Sequence, residues 1–320
     1  MNYRKLGQTG LEVSEIGFGA WGIGGGKGAP AYGATDDRES KAALRRAYEL
    51  GVTFYDTSDF YGFGHSERLI GETLGDVRSQ VVLATKVGVL NADWAQDFSA
   101  NHIRESLDAS LRRLQTDYID LYQLHSPSID VLAEDEGPIP VLHALREEGK
   151  IRALGISVAS PGDGLAAVSQ FGFNSVQVNF NLVDQRALEN GLFDLAQSHG
   201  AGIVVRTPLC FGFLTGAYTP ETEFDATDHR RQWPEEQKRR WAGAGRLFSD
   251  SILNNTQQTE SQLALRFCLS YDSVSTAIPG MLTSGHVEEN VQASQMGPFS
   301  ETELLKIEQT YRETVFYVGR

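Results

Sequence analysis

Short apolar or β-branched runs alternate with longer amphipathic stretches from one end of the chain to the other. Runs at residues 15–18, 53–56, 81–86, 118–125, 153–157, 175–179, 202–207 and 274–278 are strand-sized. Residues 38–50, 65–74, 101–114, 140–148, 165–171, 186–199, 256–270 and 287–293 carry helix-length amphipathic patterning. Within 101–114, Ile103, Leu107, Leu111 and Leu114 recur at spacings of four, four and three, which gathers them on one helical face. Asp36 followed by Glu39, and Ser300 followed by Glu303, fit capping boxes at helix starts. Gly51, Gly149 and Gly200 follow three predicted helix ends, where a left-handed residue releases the chain toward the next strand.

Unbroken βα alternation implies parallel strands covered by helices. Eight repeats without a break in composition favour an α/β fold of the closed (β/α)8 TIM-barrel type, with residues 1–320 forming one domain. The remaining segments predict an N-terminal hairpin over 3–13, a long insertion after strand 7 at 214–255, and a C-terminal helix over 300–314.

Composition narrows the function. The 320 residues hold 28 Lys plus Arg against 42 Asp plus Glu, a net charge of −14 that argues against nucleic-acid binding. No apolar run nears the roughly 18 residues of a membrane span, and the N-terminus lacks a secretory apolar core. Two cysteines, Cys210 and Cys268, make neither a disulfide framework nor a metal site. A cytoplasmic protein without metal, membrane or nucleic-acid partner is the expectation; its oligomeric state is left open. The segment 229–240 is a local exception in charge, with Arg230, Arg231, Lys238, Arg239 and Arg240 against Glu235 and Glu236. It reads either as a solvated helix face or as an electropositive cover for a phosphate.

One motif is a decoy. Gly17, Gly19 and Gly22 satisfy G-x-G-x-x-G, but a dinucleotide fingerprint needs a helix that starts at the glycines. Here Gly24, Gly25, Gly26, Gly28 and Pro30 follow, so a flexible loop at the catalytic end of the barrel is expected instead.

In a (β/α)8 barrel the C-terminal strand ends converge on one rim. Those ends supply Asp56, Lys86, His125, Ser157, Gln177, Asn179, Arg206 and Pro279-Gly280, and Tyr61 lies five residues beyond Asp56. Singly, each admits a structural reading: an ion pair, a core histidine, a packing aromatic. Together they make a chemical set. A phenol with a pKa near 10 is a poor proton donor until a neighbouring ammonium stabilises its phenolate. A carboxylate can hold that ammonium, and an imidazole can polarise a carbonyl. The set suits protonation of an oxyanion formed by hydride attack, or the reverse.

At this point the sequence resembles the aldo-keto reductases. The resemblance rests on residues 51–62 (Gly-Val-Thr-Phe-Tyr-Asp-Thr-Ser-Asp-Phe-Tyr-Gly), 67–71, 83–86 (Leu-Ala-Thr-Lys) and 117–125 (Asp-Tyr-Ile-Asp-Leu-Tyr-Gln-Leu-His). It continues through 149–157, Pro208-Leu209 with Gly212, 214–216, 278–280 and Glu289-Asn290, in order along nearly the whole chain. It implies a nicotinamide-dependent oxidoreductase acting on an aldehyde, ketone or sugar. Tyr61 would be the general acid/base, with Lys86, Asp56 and His125 completing a tetrad. The resemblance places Ala20, Trp21 and Asp56 near the nicotinamide and its ribose, Ser157 and Gln177 at the carboxamide, and Arg206 against the ring. Thr207, Pro208, Leu209, Gly212 and Leu214 would follow the pyrophosphate; Gly280, Leu282, His286, Glu289 and Asn290 would surround the adenosine.

Two departures carry information. Val158 stands where the family commonly has Asn, and no Lys or Arg stands near the adenosine ribose. Family habit favours NADP(H), with segment 229–240 supplying the missing cation; NAD(H) is the alternative. The substrate is expected among loops 22–33, 126–137 and the insertion, with Trp21, Phe60, Trp94, Phe180 and Phe211 as aromatic candidates. Asp130, Glu134, Asp135 and Glu136 would disfavour an anionic substrate, which leaves a neutral sugar, keto-sugar or small aldehyde. Competing readings are an NAD-dependent sugar dehydrogenase and a cofactor-binding subunit similar to those of potassium channels. A barrel hydrolase or isomerase would need a second carboxylate or a metal set facing Asp56, and the strand ends offer neither.

Overall fold

A computed structural model describes residues 1–25, 30–134, 137–252 and 258–319. The chain opens with the expected hairpin, in which β1 (Tyr3–Lys5) and β2 (Glu12–Ser14) pair antiparallel with Tyr3 opposite Ser14. Gly7 turns there at φ 52°, and any side chain on it would strike the backbone of Gly200 and Gly202. Leu6 and Val13 then enter the barrel interior beside Phe54, Ala84, Leu121, Ala153 and Val204, so the hairpin plugs one end of the barrel.

Eight parallel strands follow: β3 (Phe18–Gly19), β4 (Phe54–Asp56), β5 (Val82–Val87), β6 (Ile119–His125), β7 (Ile151–Ser157), β8 (Ser175–Asn179), β9 (Gly202–Arg206) and β10 (Val274–Ala277). They pair in sequence order. Parallel bridges Ile16–Ala277 and Gly19–Gly280 join the first strand to the last and close the (β/α)8 barrel. The first strand is shorter than its pattern predicts. Its early residues bond across to β10, as in Gly17 N–H to the Ala277 carbonyl at 2.9 Å, and only Phe18 and Gly19 pair with β4.

The amphipathic stretches form the outer layer. Helix Ala100–Leu114 buries Ile103, Leu107 and Leu114 as its spacing requires, each contributing about 1.5–3 kcal/mol by transfer from water. Ser300 and Glu303 make a reciprocal capping box on helix Glu301–Glu313. Asp36 caps its helix by accepting the Arg38 and Glu39 amides, without a return bond from Glu39. Gly51, Gly149 and Gly200 are left-handed, as predicted.

Three helices depart most from their expected bounds. The stretch 186–199 breaks into Arg186–Glu189 and Leu192–His199, because Gly191 takes φ 81° between them. The stretch 165–171 begins earlier, as Pro161–Ser169, since Pro161 sits at the first turn behind a Ser160–Asp163 capping box. The stretch 256–270 is Glu260–Leu269, started by a Thr259–Gln262 box; residues 256–257 lie outside the described residues. The insertion after β9 winds through short turns at Cys210–Thr215 and His229–Gln232 into helices Glu235–Ala242 and Ala244–Ile252. The first of these helices is tied to the C-terminal tail, Gln237 Nε2 donating to the Phe316 carbonyl and Arg240 to that of Tyr317, each at 2.8 Å. Among the described residues, no helix is long and apolar enough to cross a membrane.

At the plugged end a buried carboxylate is clamped. Asp120, early in β6, accepts the Leu83 amide at 3.0 Å, Arg78 at 2.7 Å and Arg152 at 2.8 Å. Both guanidinium groups lie 4.0 Å from the centre of the Tyr118 ring.

Candidate active site

At the opposite end the strand termini surround a cavity of about 800 Å³. Period-two alternation turns Asp56, Lys86, Gln123, His125 and Gln177 inward from β4, β5, β6 and β8. Lys86 Nζ donates to Asp56 Oδ2 at 2.5 Å, to the Thr57 carbonyl at 2.8 Å and to Tyr61 Oη at 3.0 Å. An ammonium has three protons, and all three are committed. Tyr61 Oη is therefore an acceptor toward Lys86, which leaves its own O–H free to face the cavity that it lines.

Asp56 is equally saturated. Its Oδ1 accepts Gln123 Nε2 at 3.0 Å and Gln177 Nε2 at 2.8 Å. Gln177 Nε2 also reaches Gln123 Oε1 at 3.2 Å, so both of its amide hydrogens are spent and only its oxygen stays open. Ser157 donates weakly to that oxygen at 3.4 Å.

The electrostatics follow from burial and partners. Burial opposes charge on Lys86, but Asp56 and Tyr61 outweigh it, and the net shift is upward, so Lys86 stays an ammonium. Burial raises the Tyr61 phenol, and Lys86 pulls it down by less, so the net shift is also upward. The expected lowering by Lys86 is present but does not prevail, and Tyr61 is a protonated phenol at neutral pH. Burial, then Lys86 and Arg206, hold His125 well below its ordinary range, so its imidazole is neutral.

The structure brings most of the predicted cofactor residues to this cavity. Ala20, Trp21, Asp56, Gln177, Arg206, Thr207, Pro208, Leu209, Gly212, Gly280, Leu282, His286, Glu289 and Asn290 all line it. Two do not. Ser157 is fully buried beneath Gln177, and Leu214 turns into the core where the Cys210–Thr215 segment tightens. The turn after β9 is conformationally tense, with Thr207 (φ 53°), Cys210 (φ 46°) and Phe211 (φ 57°) all left-handed. It is anchored by Asn181 Nδ2 to the Thr207 carbonyl at 2.9 Å and by Thr207 Oγ1 to Asn179 at 3.0 Å. Arg206 is half-buried and held by the Val158 carbonyl at 2.9 Å, yet its buried Nε has no partner; nor has the buried Trp21 Nε1. Two orphaned donors at one cavity are what a polar ligand would satisfy. A nicotinamide cofactor fits that requirement.

The rest of the mouth corrects the sequence expectations. Trp21, Trp94 and Phe211 line the cavity, while Phe60 packs behind them, 5.5 Å from Trp94 and 6.5 Å from His125 between ring centres. Phe180 is in the wrong place. Asn179 turns inward, so the next residue turns outward, and Phe180 packs against Phe193, Phe267 and Tyr271 under the helices. Among the described residues, loop 126–137 contributes nothing to the lining; Ala92 and Trp94 from the preceding loop take that place. Asp135 and Glu136, and residues 26–29 of the glycine loop, lie outside the described residues. Gly22–Gly24 form a short turn and not a nucleotide-binding helix, and Pro30 and Tyr32 reach the cavity beyond it.

The basic stretch is largely neutralised within itself. Arg230 pairs with Asp228 at 2.5 Å, Lys238 with Glu235 at 2.5 Å and Arg240 with Glu236 at 3.0 Å. Arg231 and Arg239 are exposed and outside the lining. Only His229 and Arg230 of the five cations and their neighbour face the cavity, within an aromatic cover made with Tyr32, Trp233 and Phe211. His229 Nδ1 contacts the Ala31 carbonyl at 2.8 Å, and Tyr32 bridges to Asp228. These cover contacts join residues about 200 apart in sequence, so no local pattern announces them. Gln123 was also missed, although it stands two residues before His125 on the same strand face. Ser58, 3.3 Å from His125 Nδ1, has no such signal.

Fold and site together define a barrel oxidoreductase that moves hydride between a nicotinamide and a carbonyl or alcohol carbon. The chain belongs to the Aldo/keto reductase family, whose sequence profile matches residues 15–312. It is 34% identical over 300 residues to the aldo-keto reductase YhdN of Bacillus subtilis, covering 90% of this chain and 87% of that protein. It is 31% identical over 307 residues to the NADH-specific methylglyoxal reductase of Escherichia coli, covering 90% and 92%. Among solved structures, the holo form of aldo-keto reductase AKR11C1 from Bacillus halodurans superposes with a TM-score of 0.80 at 33% identity, covering 97% and 96% of the two chains.

Proposed function

We propose that the protein reduces small neutral aldehydes and hydroxyaldehydes with NADH in preference to NADPH, using Tyr61 as the proton donor. The observation that carries the chemistry is the saturated Asp56–Lys86–Tyr61 array, which leaves one phenolic proton for the cavity. A reduced nicotinamide, when bound, supplies hydride to the carbonyl carbon. The chain's own residues do the rest. Trp21, Gln177 and Arg206 offer polar atoms to hold the cofactor at the mouth. Tyr61 gives its O–H proton to the carbonyl oxygen as negative charge grows there, and Lys86 stabilises the phenolate left behind. Neutral His125 orients the carbonyl. In the alcohol-oxidising direction the phenolate takes the proton back.

The cofactor preference rests on the far end of the cavity. Gly280, Leu282, His286, Glu289 and Asn290 line it without a Lys or Arg among the described residues, and Glu289 would repel a 2′-phosphate. The basic segment, expected as the source of the missing cation, spends Arg230, Lys238 and Arg240 on neighbouring carboxylates. The NADH-specific Escherichia coli relative agrees in direction. Substrate neutrality follows from the aromatic cover and from the pairing of Arg230 with Asp228, which leaves no dedicated receptor for a substrate phosphate among the described residues. Two buried free thiols suit a reducing, cytoplasmic setting.

The test is to incubate purified protein with methylglyoxal, glyceraldehyde, benzaldehyde, dihydroxyacetone and glucose, each with NADH or NADPH, and follow the reduced nicotinamide. Turnover of the small aldehydes, at least about tenfold more efficient with NADH, is expected from one lost charge-assisted contact. A clear NADPH preference would overturn the cofactor assignment, and turnover of phosphorylated sugars alone would overturn the substrate class.

A further inference from the structure

Behind His125 lies a pair of side chains that the reaction above does not use. Ser58 Oγ is 3.3 Å from His125 Nδ1 and 3.1 Å from Asp59 Oδ1. It also accepts the Phe60 amide at 3.1 Å. Ser58 is fully buried and Asp59 half-buried; neither lines the cavity. His125 therefore has one ring nitrogen committed to Ser58 and the other, Nε2, left for the cavity.

A serine hydroxyl has a single proton to give, and His125 and Asp59 compete for it. If Asp59 is a carboxylate it can only accept, so Ser58 donates to Asp59 and accepts the hydrogen bond of His125 Nδ1–H. The neutral ring then has a bare lone pair at Nε2. If Asp59 carries a proton it donates to Ser58, Ser58 donates to His125 Nδ1, and the imidazole N–H sits at Nε2. Only this second arrangement can donate a hydrogen bond to a carbonyl oxygen in the cavity. No heavy atom has to move: on going to the second arrangement one proton is taken up from the cavity at Nε2, and two shift along the existing hydrogen bonds, from Nδ1 to Ser58 and from Ser58 to Asp59.

We propose that Ser58 and Asp59 are positioning residues that set the tautomer of His125, so that carbonyl polarisation depends on whether Asp59 holds a proton. The consequence for turnover rests on the reductase reading above; the tautomer assignment does not.

The surroundings put this choice in a useful pH range. Burial first, and then the Glu67 carboxylate from helix His65–Leu74, raise the Asp59 carboxyl to about 7. Its bond to Ser58, Arg113 from helix Ala100–Leu114 and the Phe60 amide act the other way. Arg113 is itself bonded to Glu67 at 2.5 Å, and Tyr122 of β6 also faces Asp59. Burial first, and then the nearby Lys86 and Arg206, keep the His125 ring neutral throughout.

The experiment is nitrogen NMR of the imidazoles in 15N-histidine-labelled protein from roughly one and a half pH units below the Asp59 value to one and a half above it. His125 is assigned by its loss in His125→Asn. The expected result is a neutral ring whose proton moves from Nε2 to Nδ1 as pH rises through about 7. Asp59→Asn should abolish that step, and Ser58→Ala should uncouple the ring from it. In parallel, wild-type kcat for aldehyde reduction should fall about tenfold between roughly pH 6 and pH 8 with little change in KM. Asp59→Asn should flatten that profile. A single unchanging tautomer in wild type and both variants would overturn the proposal. A tautomer step accompanied by no reductase turnover would uphold the pair and fail the functional reading instead.

Discussion

Two buried carboxylates stand at opposite ends of the barrel, and each is saturated by donors. At the plugged end Asp120 is gripped by Arg78, Arg152 and the Leu83 amide. At the open end Asp56 is gripped by Lys86, Gln123 and Gln177. The difference lies in what the cation touches next. The arginines, permanently charged, stack on the Tyr118 ring and end the network in packing. The lysine passes its third hydrogen bond to the hydroxyl of Tyr61, whose proton faces a cavity. The same ion-pair chemistry thus locks strands together at one end and prepares a proton donor at the other.

That contrast can be broken experimentally from either side. Lys86→Met should have the largest effect, cutting turnover by about 10²–10⁴-fold, the range for lost acid–base assistance. It should also cost about 3–5 kcal/mol of stability, because Asp56 is left buried without its cation. Residual alcohol oxidation should shift to higher pH, since burial then raises the Tyr61 phenol with only the weaker pull of Arg206 against it; steady-state pH profiles read this. Asp120→Asn should behave oppositely, losing about 2–4 kcal/mol in urea unfolding because two guanidinium groups lose their carboxylate, with kcat and KM unaltered.

Smaller effects sharpen the picture. Glu289→Lys should tighten NADPH binding about tenfold by replacing a repulsive charge with a charge-assisted bond, measured by quenching of tryptophan fluorescence. Asp59 should also leave a mark on stability. Its folded-state value of about 7 exceeds the ordinary 3.8, so between these limits the folded chain holds a proton that the unfolded chain has released. Unfolding free energy should therefore decline as pH rises through that window and level off above it. The decline should vanish in Asp59→Asn, as a comparison of the two urea midpoints against pH would record.

Much of this architecture was legible along the chain because burial imposes a period on it. The eight strands, the helix caps and the glycine stops fell close to their places. So did Asp56, Tyr61, Lys86 and His125, since strand ends in a barrel must share one rim. What escaped depended on distant partners. Helix 186–199 was broken by one left-handed glycine inside an otherwise continuous pattern. Phe180 was misplaced by one step of strand alternation. Arg230, Lys238 and Arg240 looked free in one dimension and are paired in three, because their carboxylates lie a few residues away on the same turns. The Tyr32–His229 cover joins segments that share no local signal.

The most direct trial of the account is Tyr61→Phe, which deletes one hydroxyl and little volume from a well-packed site. NADH affinity should stay within about threefold of wild type while kcat for aldehyde reduction drops by about 10³-fold or more, because only the proton route is lost. A variant that binds NADH and still reduces aldehydes at the parental rate would contradict it.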